Sequence, residues 1–267
     1  MFTHSLDPVL FDFGFVAIRW YSLAYVGGIL IGWWLGKKII TKIFHNNKGK
    51  KFYLEEFDDL ITYIIISIII GGRIGYIVFY NLGYYISNPL NMFKIWEGGM
   101  SFHGGFIGVL IAMFLYSKSI NRKFWETVDF IAPCVPFGIG AGRLGNFIGG
   151  ELWGRPTDAP WGMIFPHVDN LPRHPSQLYE IALEGVVLFI IIWWFSSVTK
   201  PRMAVSGTFA ILYGSFRFFI EFFREPDLHI GFIAFDWLTM GQLLSLPMVI
   251  VGFSLVIFAY NNKSVTG

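Results

Sequence analysis

The stretch GAGRLGNFIGGELWGRP, residues 140–156, places an arginine, an asparagine and a glutamate at the end of a long apolar run. Arg143 and Asn146 are three residues apart, so on a helix they share one face. A guanidinium stays charged at any relevant pH and matches a phosphate group through two parallel hydrogen bonds. Asn146 adds a neutral donor and acceptor, and Glu151 follows in a glycine-rich turn. A structural turn would explain the glycines but not the charged trio, so this stretch indicates a functional site for an anionic ligand.

Two other arginines lie in apolar surroundings, Arg73 in GGRIGYIVFY and Arg217 in YGSFRFFIEFF. Each has an alternative static role. Arg217 could pair with Glu221 one helical turn along, and Arg73 could simply hold helices together. These static roles compete with the binding of an anion.

His103 lies between two glycine pairs in WEGGMSFHGG. Its unperturbed pKa of about 6.5 would suit a proton acceptor, although a structural role is equally open. No second histidine stands at metal-ligand spacing and there is no HExxH motif, so the sequence predicts no metal site. We also expect no cofactor and no nucleic-acid partner.

The composition decides what surrounds these residues. The chain has 267 residues, of which 54% are hydrophobic and 14% charged, and its mean hydropathy is +0.56. An average soluble domain has roughly 25% charged residues. A soluble core of this size could not hide so much apolar surface, so the solvent must be lipid.

A transmembrane helix needs about 20 mainly apolar residues. The sequence predicts an all-α polytopic membrane protein with about seven such helices, in one integral membrane domain over residues 1–267 with an external loop at about 148–176. The loop could be a lid, a docking surface or a connector. The predicted spans are about 19–36, 60–80, 99–116, 127–147, 177–195, 204–223 and 238–259. In the first span, Gly28, Gly32 and Gly36 recur at spacing four, a pattern that lets membrane helices pack closely.

Basic residues predict the orientation, because cytoplasmic connections carry an excess of Lys and Arg. The connections after spans one, three and five and the C-terminal tail hold 12 of the 20 Lys and Arg residues, whereas the opposite connections hold four. The N-terminus is therefore expected outside and the C-terminus in the cytoplasm. The 12 residues are Lys37, Lys38, Lys42, Lys48, Lys50, Lys51, Lys118, Arg122, Lys123, Lys200, Arg202 and Lys263.

With this orientation, five polar groups from five helices fall in the outer half of the membrane. An arginine at the centre of a span costs about 2.5–3.5 kcal/mol on insertion scales, less where it reaches the interface. Three arginines at one level exceed what reaching the interface requires, and they suggest an anionic ligand. Glu180 and Glu184 in span five could balance their charge. The five groups are Tyr21, Arg73, His103, Arg143 and Arg217.

Other membrane proteins fit the sequence less well. An anion transporter would need charged positions along a path to the cytoplasm, whereas here they stop in the outer half. A CDP-alcohol phosphotransferase would need an aspartate-rich metal motif, and a rhomboid-like protease a GxSG motif. Neither motif occurs in the spans.

Four motifs together resemble the bacterial prolipoprotein diacylglyceryl transferase family: SFHGG, GRLGNFIGGELWGRP, RHPSQLYE and YGSFRFFIEFFREPD. The resemblance covers essentially the full length. It implies a multi-pass enzyme of the bacterial cytoplasmic (inner) membrane, with its active site toward the outer leaflet. Such an enzyme transfers the sn-1,2-diacylglyceryl group of phosphatidylglycerol to the thiol of the lipobox cysteine, next to the signal peptide of a secreted prolipoprotein. The products are a thioether and sn-glycerol 1-phosphate.

The resemblance also implies roles for individual residues. His103, Arg143 and Arg217 match the positions most critical to activity, and Arg143 matches a phospholipid-binding arginine. Gly149 stands where the family pattern usually has asparagine. The lipid-binding residues that we predict are Arg143, Asn146, Tyr21, Glu151, Gly154 and Arg73.

Overall fold

A computed structural model describes residues 2–14, 17–42, 54–226 and 231–262. Four basic residues used for the orientation, Lys48, Lys50, Lys51 and Lys263, lie outside this part of the chain. The chain forms two compact units: Met1–Ile39 with Asp129–Gly267 make the first, and Ile40–Val128 the second. The expectation of one catalytic domain stays a prediction.

Helices occupy all seven stretches in which the sequence predicts a span. The helical fold class is therefore confirmed, with boundaries that differ from the predicted ones by up to six residues at either end. The helices are α1 Trp20–Lys42, α2 Leu54–Tyr80, α3 Leu82–Ser87, α4 Phe102–Ser119, α5 Phe124–Ile131, α6 Val135–Ile148, α7 Ser176–Glu180, α8 Leu188–Ser196, α9 Ala204–Ile220 and α10 Met240–Asn261.

Four helical stretches are long and apolar enough to cross a membrane: Leu54–Tyr80, Phe102–Ser119, Ser176–Ser196 and Met240–Asn261. Ala204–Ile220 is a shorter apolar helix. Several membrane-length helices in one chain make this a multi-pass membrane protein.

Two of the predicted spans are not regular α-helices. A 3-10 turn at Ala132–Cys134 separates α5 from α6. Pro133 and Pro136 account for it, because proline lacks the backbone N–H that a continuous helix needs. Between α7 and α8, residues Ile181–Val187 form a π-helical segment, a rare geometry often found at functional sites.

Close approach at α1 confirms the role predicted for its small residues. A Cβ added to Gly28 would lie 2.9 Å from Cβ of Ala141 and 3.1 Å from Cα of Gly138, both on α6. Further along α1, a Cβ on Gly32 would lie 3.4 Å from the carbonyl oxygen of Cys134. Cys134 is itself buried. These contacts hold α1 against α6, the helix that carries Arg143.

Short strands that the sequence did not predict order the segments outside the helices of the first unit. β1 Phe2–Thr3 pairs in parallel with β4 Met163–Ile164, which pairs antiparallel with β5 Pro172–Arg173. A separate hairpin joins β2 Val9–Asp12 to β3 Ala17–Arg19. With two to four residues each, these strands are too short to show an alternating pattern.

Arg173 fixes the 148–176 loop. Its guanidinium donates to Asp169 at 2.6 Å, to Glu225 at 3.1 Å and to the carbonyl oxygen of Gly154 at 3.0 Å. Hydrogen bonds from Arg173 lower the pKa of the partly exposed Asp169 carboxyl below its ordinary value. The ion pairs give the loop a defined path back to α7.

In the second unit, α2 and α4 meet through glycines. A Cβ on Gly75 would lie 2.6 Å from Cα of Gly104, and one on Gly108 would lie 2.6 Å from the carbonyl oxygen of Ser67. A larger residue would force the two helices apart. In the same unit, Arg122 pairs with Glu56 at 2.8 Å.

Candidate active site

The first unit brings two of the predicted arginines onto the same two glutamates. Nε of Arg143 lies 3.4 Å from Oε2 of Glu180, and Nη2 of Arg143 lies 3.5 Å from Oε2 of Glu184. Nη1 of Arg217 pairs with Oε1 of Glu180 and lies 3.9 Å from Oε1 of Glu184. Each carboxylate therefore faces both guanidinium groups, as the predicted charge balance requires.

Four elements position this cluster. Arg143 is on α6, Arg217 is near the end of α9, and the two glutamates lie on α7 and the π-helical segment. A Cβ on Gly185 would lie 3.1 Å from Cα of Gly140, so glycines let the π-helical segment lie directly against α6. The glutamate side chains are fully buried, whereas the side chains of Arg143 and Arg217 are 18% and 12% exposed. The arginines therefore form the accessible face of the cluster.

Arg217 is held on both sides. Besides Glu180, it pairs with Glu221 one turn along α9, so the static pair anticipated from the sequence is present. Oε2 of Glu221 accepts a hydrogen bond of 2.7 Å from the Thr239 hydroxyl, and Oε1 lies 3.5 Å from Nη1 of Arg224. A network of short contacts fixes the position of this guanidinium.

Arg143 is held more loosely. Its two ion pairs, at 3.4 and 3.5 Å, are longer than the roughly 2.7–2.9 Å of a strong charge-assisted hydrogen bond. Of the two guanidinium groups, Arg143 is the more exposed and the one with spare bonding capacity.

Asn146 and Glu151 contact each other at the end of α6. Nδ2 of Asn146 donates to Oε2 of Glu151 at 3.3 Å, and the backbone N–H of Glu151 donates to the carbonyl oxygen of Asn146 at 2.8 Å. Nε2 of Gln177 donates to the Glu151 carbonyl at 2.6 Å. Asn146 is buried and Glu151 is exposed, so the pair connects the interior to the surface of the first unit.

Tyr21 lies on the glycine face of α6. A Cβ on Gly145 would lie 2.8 Å from the Tyr21 ring. The Tyr21 hydroxyl donates to that of Tyr25 at 3.2 Å, and their ring centroids are 4.9 Å apart. The structure thus places Tyr21 against Gly145, two residues from Arg143 along α6, with Tyr21 39% exposed.

Gly154 occupies a place where only glycine fits. Its N–H donates to the carbonyl oxygen of His174 at 3.0 Å, and a Cβ would collide with that oxygen and lie 2.7 Å from the carbonyl oxygen of Phe223. In the preceding turn, Gly150 has a φ of +65° whereas Gly149 has a φ of −71°. Positive φ is therefore required at 150, and position 149 can accept a side chain.

Arg73, in the second unit, forms its hydrogen bonds within the described part of the chain to backbone carbonyl oxygens. Its guanidinium donates five hydrogen bonds of 2.5–3.3 Å to the carbonyl oxygens of Asn91, Met92, Lys94, Gly98 and Gly99. The side chain is buried, and it lies over the Tyr85 ring at 5.2 Å. These contacts support the alternative that Arg73 holds the segment after α3 in place.

His103 also belongs to the second unit. It lies in the first turn of α4, where the Ser101 side chain caps the helix by accepting from the N–H of Gly104 at 3.2 Å. The imidazole is exposed and makes an edge contact with Phe102, with centroids 5.7 Å apart. An exposed imidazole can exchange a proton with a substrate.

Sequence reasoning missed Gln177, Thr239 and Tyr25. Gln177 and Thr239 hold Glu151 and Glu221, and Tyr25 packs beside Tyr21. Gln177 carried a signal, since it lies three residues before Glu180 and therefore on the same helix face. Thr239 carried none, because its partner is 18 residues away in the chain.

Comparison with known proteins gives a consistent result. A family described as prolipoprotein diacylglyceryl transferase matches residues 8–258. The chain is 56% identical over 259 residues to a phosphatidylglycerol–prolipoprotein diacylglyceryl transferase of Oleidesulfovibrio alaskensis, covering 97% of this chain and 95% of that protein. It is 53% identical over 257 residues to the one of Cupriavidus metallidurans, covering 96% and 94%. It is 51% identical over 260 residues to the one of Methylococcus capsulatus, covering 97% and 98%.

Proposed function

Because the chain belongs to the prolipoprotein diacylglyceryl transferase family, we propose that its arginine–glutamate cluster is where the phosphate of phosphatidylglycerol reacts. The enzyme transfers the diacylglyceryl group of phosphatidylglycerol to a prolipoprotein, an early step of bacterial lipoprotein maturation. The acceptor is the thiol of the lipobox cysteine beside the signal peptide. The products are a thioether and sn-glycerol 1-phosphate.

The observation that carries this assignment is the contrast between the two guanidinium groups. Arg217 has short contacts to Glu180 and Glu221, whereas Arg143 has only longer contacts and greater exposure. Arg143 therefore has donors to offer to a phosphodiester, and Arg217 is the fixed cation beside it. Asn146, one turn along the same helix, adds a neutral donor at the edge of the site.

The reaction develops negative charge where these cations lie. The thiol sulfur attacks a glycerol carbon, the C–O bond to phosphate breaks, and the electron pair leaves with the phosphate oxygen. Preorganised donors aimed at such a charge are the largest available catalytic contribution, and losing one typically costs about 10²–10³ in rate. We assign this work to Arg143 and Arg217.

The thiol must lose its proton. A free cysteine has a pKa of about 8.5, so only a few per cent is thiolate at neutral pH. We assign the base to His103, whose exposed imidazole could accept that proton, and general bases typically contribute about 10²–10⁴-fold. The enzyme needs no nucleophile of its own, which fits the buried position of Cys134.

We further propose seven transmembrane helices in the bacterial inner membrane, with the N-terminus and the 148–176 loop outside. The asymmetry of the basic residues supports this orientation, and it puts the cluster toward the outer leaflet. Cysteine-accessibility labelling should find position 170, which is exposed in the 148–176 loop, reactive from outside and position 45 reactive only after permeabilisation. The opposite pattern would overturn the orientation and the placement of the site together.

The transfer itself is tested with purified protein, phosphatidylglycerol and a lipobox peptide. The peptide should gain the mass of one diacylglyceryl group. A peptide with serine in place of the lipobox cysteine, and phosphatidylcholine in place of phosphatidylglycerol, serve as matched controls that should show no gain. Absence of a mass gain with the cysteine peptide would overturn the proposed function.

A further inference from the structure

We propose that Glu184 takes up one proton when an anionic phospholipid headgroup binds Arg143. This inference rests on the proposed function. It concerns the buried side of the cluster, where two carboxylates stand behind two guanidinium groups.

The first support is charge. Arg143 and Arg217 together carry two positive charges, and Glu180 and Glu184 carry two negative ones, so the four side chains are neutral as a set. A phosphodiester that enters this set adds a negative charge among buried groups. An uncompensated buried charge is strongly unfavourable, so anion binding needs a cation to enter or a carboxylate to become neutral.

The second support is the geometry of Glu184. Its side chain is fully buried. Its Oε2 is 3.5 Å from Nη2 of Arg143, and its Oε1 is 3.9 Å from Nη1 of Arg217. Among the described residues, that Oε1 has no hydrogen-bond partner. Oε2 of Glu180 likewise lacks a hydrogen-bond partner there, but Oε1 of Glu180 retains a short contact to Arg217. Glu184 is therefore the carboxylate that is less supported as an anion, and it loses the one hydrogen bond that it makes within the described part of the chain when Arg143 turns to a phosphate.

The surroundings contain few other groups that could compensate. The charged and titratable side chains that face Glu184 are Arg143 from α6, Arg217 and Tyr213 from α9, and Glu180 from its own stretch of helix. Both arginines are already charged at any relevant pH. A proton on Glu184 thus restores neutrality without rearranging the network around Arg217.

Calorimetry with water-soluble, short-chain phosphatidylglycerol tests this proposal, because a phosphodiester does not itself titrate near neutral pH. Titrations in buffers of different ionisation enthalpy count the protons taken up. The parent protein should take up about one proton per lipid, and its affinity should fall as the pH rises, by up to about tenfold per pH unit. Glu184→Gln should take up none and should bind with an affinity that does not depend on pH.

Glu225→Gln is the matched control, since Glu225 is also a carboxylate paired with an arginine, Arg173 at 3.1 Å. It should behave like the parent. If Glu184→Gln does not fold, infrared difference spectra of the parent should show a protonated carboxyl band that appears with lipid.

Two results would overturn the proposal: lipid binding by the parent without proton uptake, or full uptake by Glu184→Gln. In both, phosphatidylglycerol still binds, so the proposed function survives. If the parent binds no phosphatidylglycerol at all, the proposed function falls and this inference falls with it.

Discussion

The two units bury arginines in different ways. In the second unit, Arg73 satisfies its guanidinium with five backbone carbonyl oxygens. In the first unit, Arg143 and Arg217 face side-chain carboxylates. The three residues look alike in sequence, each an arginine in an apolar helix, yet only the second arrangement leaves a cation that can exchange its partner.

The physical difference lies in the partners. Carbonyl oxygens belong to the fold, so Arg73 cannot release them without unfolding the segment that they come from. A carboxylate is an anion on a side chain, and a phosphate can replace it as a partner of the same charge. Contacts of 3.4–3.5 Å at Arg143 make that exchange inexpensive.

The largest loss of transfer rate is expected from substituting His103. This substitution tests whether the second unit takes part in the reaction or only supports the fold. His103→Gln keeps polarity but cannot accept a proton at neutral pH. If His103 is the base, transfer should slow by about 10²–10⁴, with phosphatidylglycerol affinity unchanged. Rates should recover in part as rising pH supplies thiolate. Transfer rates equal to those of the parent across the pH range would remove His103 from the mechanism.

Arg143→Lys tests the exchangeable cation. Lysine keeps the charge but lacks the planar fork that matches a phosphate, so transfer should fall about 10²–10³-fold, or about 2.7–4 kcal/mol. Arg143→Ala should lose more and should also weaken phosphatidylglycerol binding. Transfer rate and lipid affinity are measured at matched expression. Near-parental values for Arg143→Lys would make this arginine structural, like Arg73.

Combining Arg143→Lys with Asn146→Ala tests whether these two side chains bind the same phosphate group. If both side chains act on one ligand, their losses should not add. Strict additivity of the two losses would place Asn146 outside the lipid site.

Arg73→Lys tests the arrangement in which a guanidinium is bound by backbone carbonyl oxygens. Lysine has three donors where the structure offers five carbonyl oxygens, so at least two lose their partner, at about 1–3 kcal/mol each. The free energy of unfolding should fall accordingly, whereas lipid affinity per folded molecule should stay within about twofold. Lost lipid affinity at unchanged stability would show that Arg73 is a lipid ligand, as the sequence-based residue set predicts.

The smallest effect is expected at Gly149. Its φ of −71° suits any residue, and a Cβ there would lie 3.3 Å from the carbonyl oxygen of Gly145 and 3.7 Å from the Glu151 carboxyl carbon, so only a shift of a few tenths of an ångström is needed. Gly149→Asn should therefore keep activity within about tenfold, or about 1.4 kcal/mol. Gly150→Ala is the contrasting variant, because φ is +65° there and a Cβ would lie 2.5 Å from the His167 ring. Gly150→Ala should therefore lower activity more than Gly149→Asn does. A folded but inactive Gly149→Asn protein would contradict this reading of the turn.

The sequence predicted the helical stretches well, because runs of about 20 apolar residues are a strong local signal. It did not predict the 3-10 turn at Ala132–Cys134, the π-helical segment or the short strands. These features follow from packing and pairing with segments far along the chain. The seven-span count and the orientation stay predictions.

At the site, the sequence by itself determined which residues carry charge and which share a helix face, so it found Arg143 with Asn146 and Arg217 with Glu221. Only the tertiary structure decided how those charges pair. Glu180 lies 37 residues from Arg217, and Glu184 lies 41 residues from Arg143. Ion pairs across such separations depend on how helices pack, and helical spacing does not encode them. The same packing gave Arg73 carbonyl oxygens and Arg143 carboxylates, and we propose that this choice of partner decides which of the two arginines can bind a substrate.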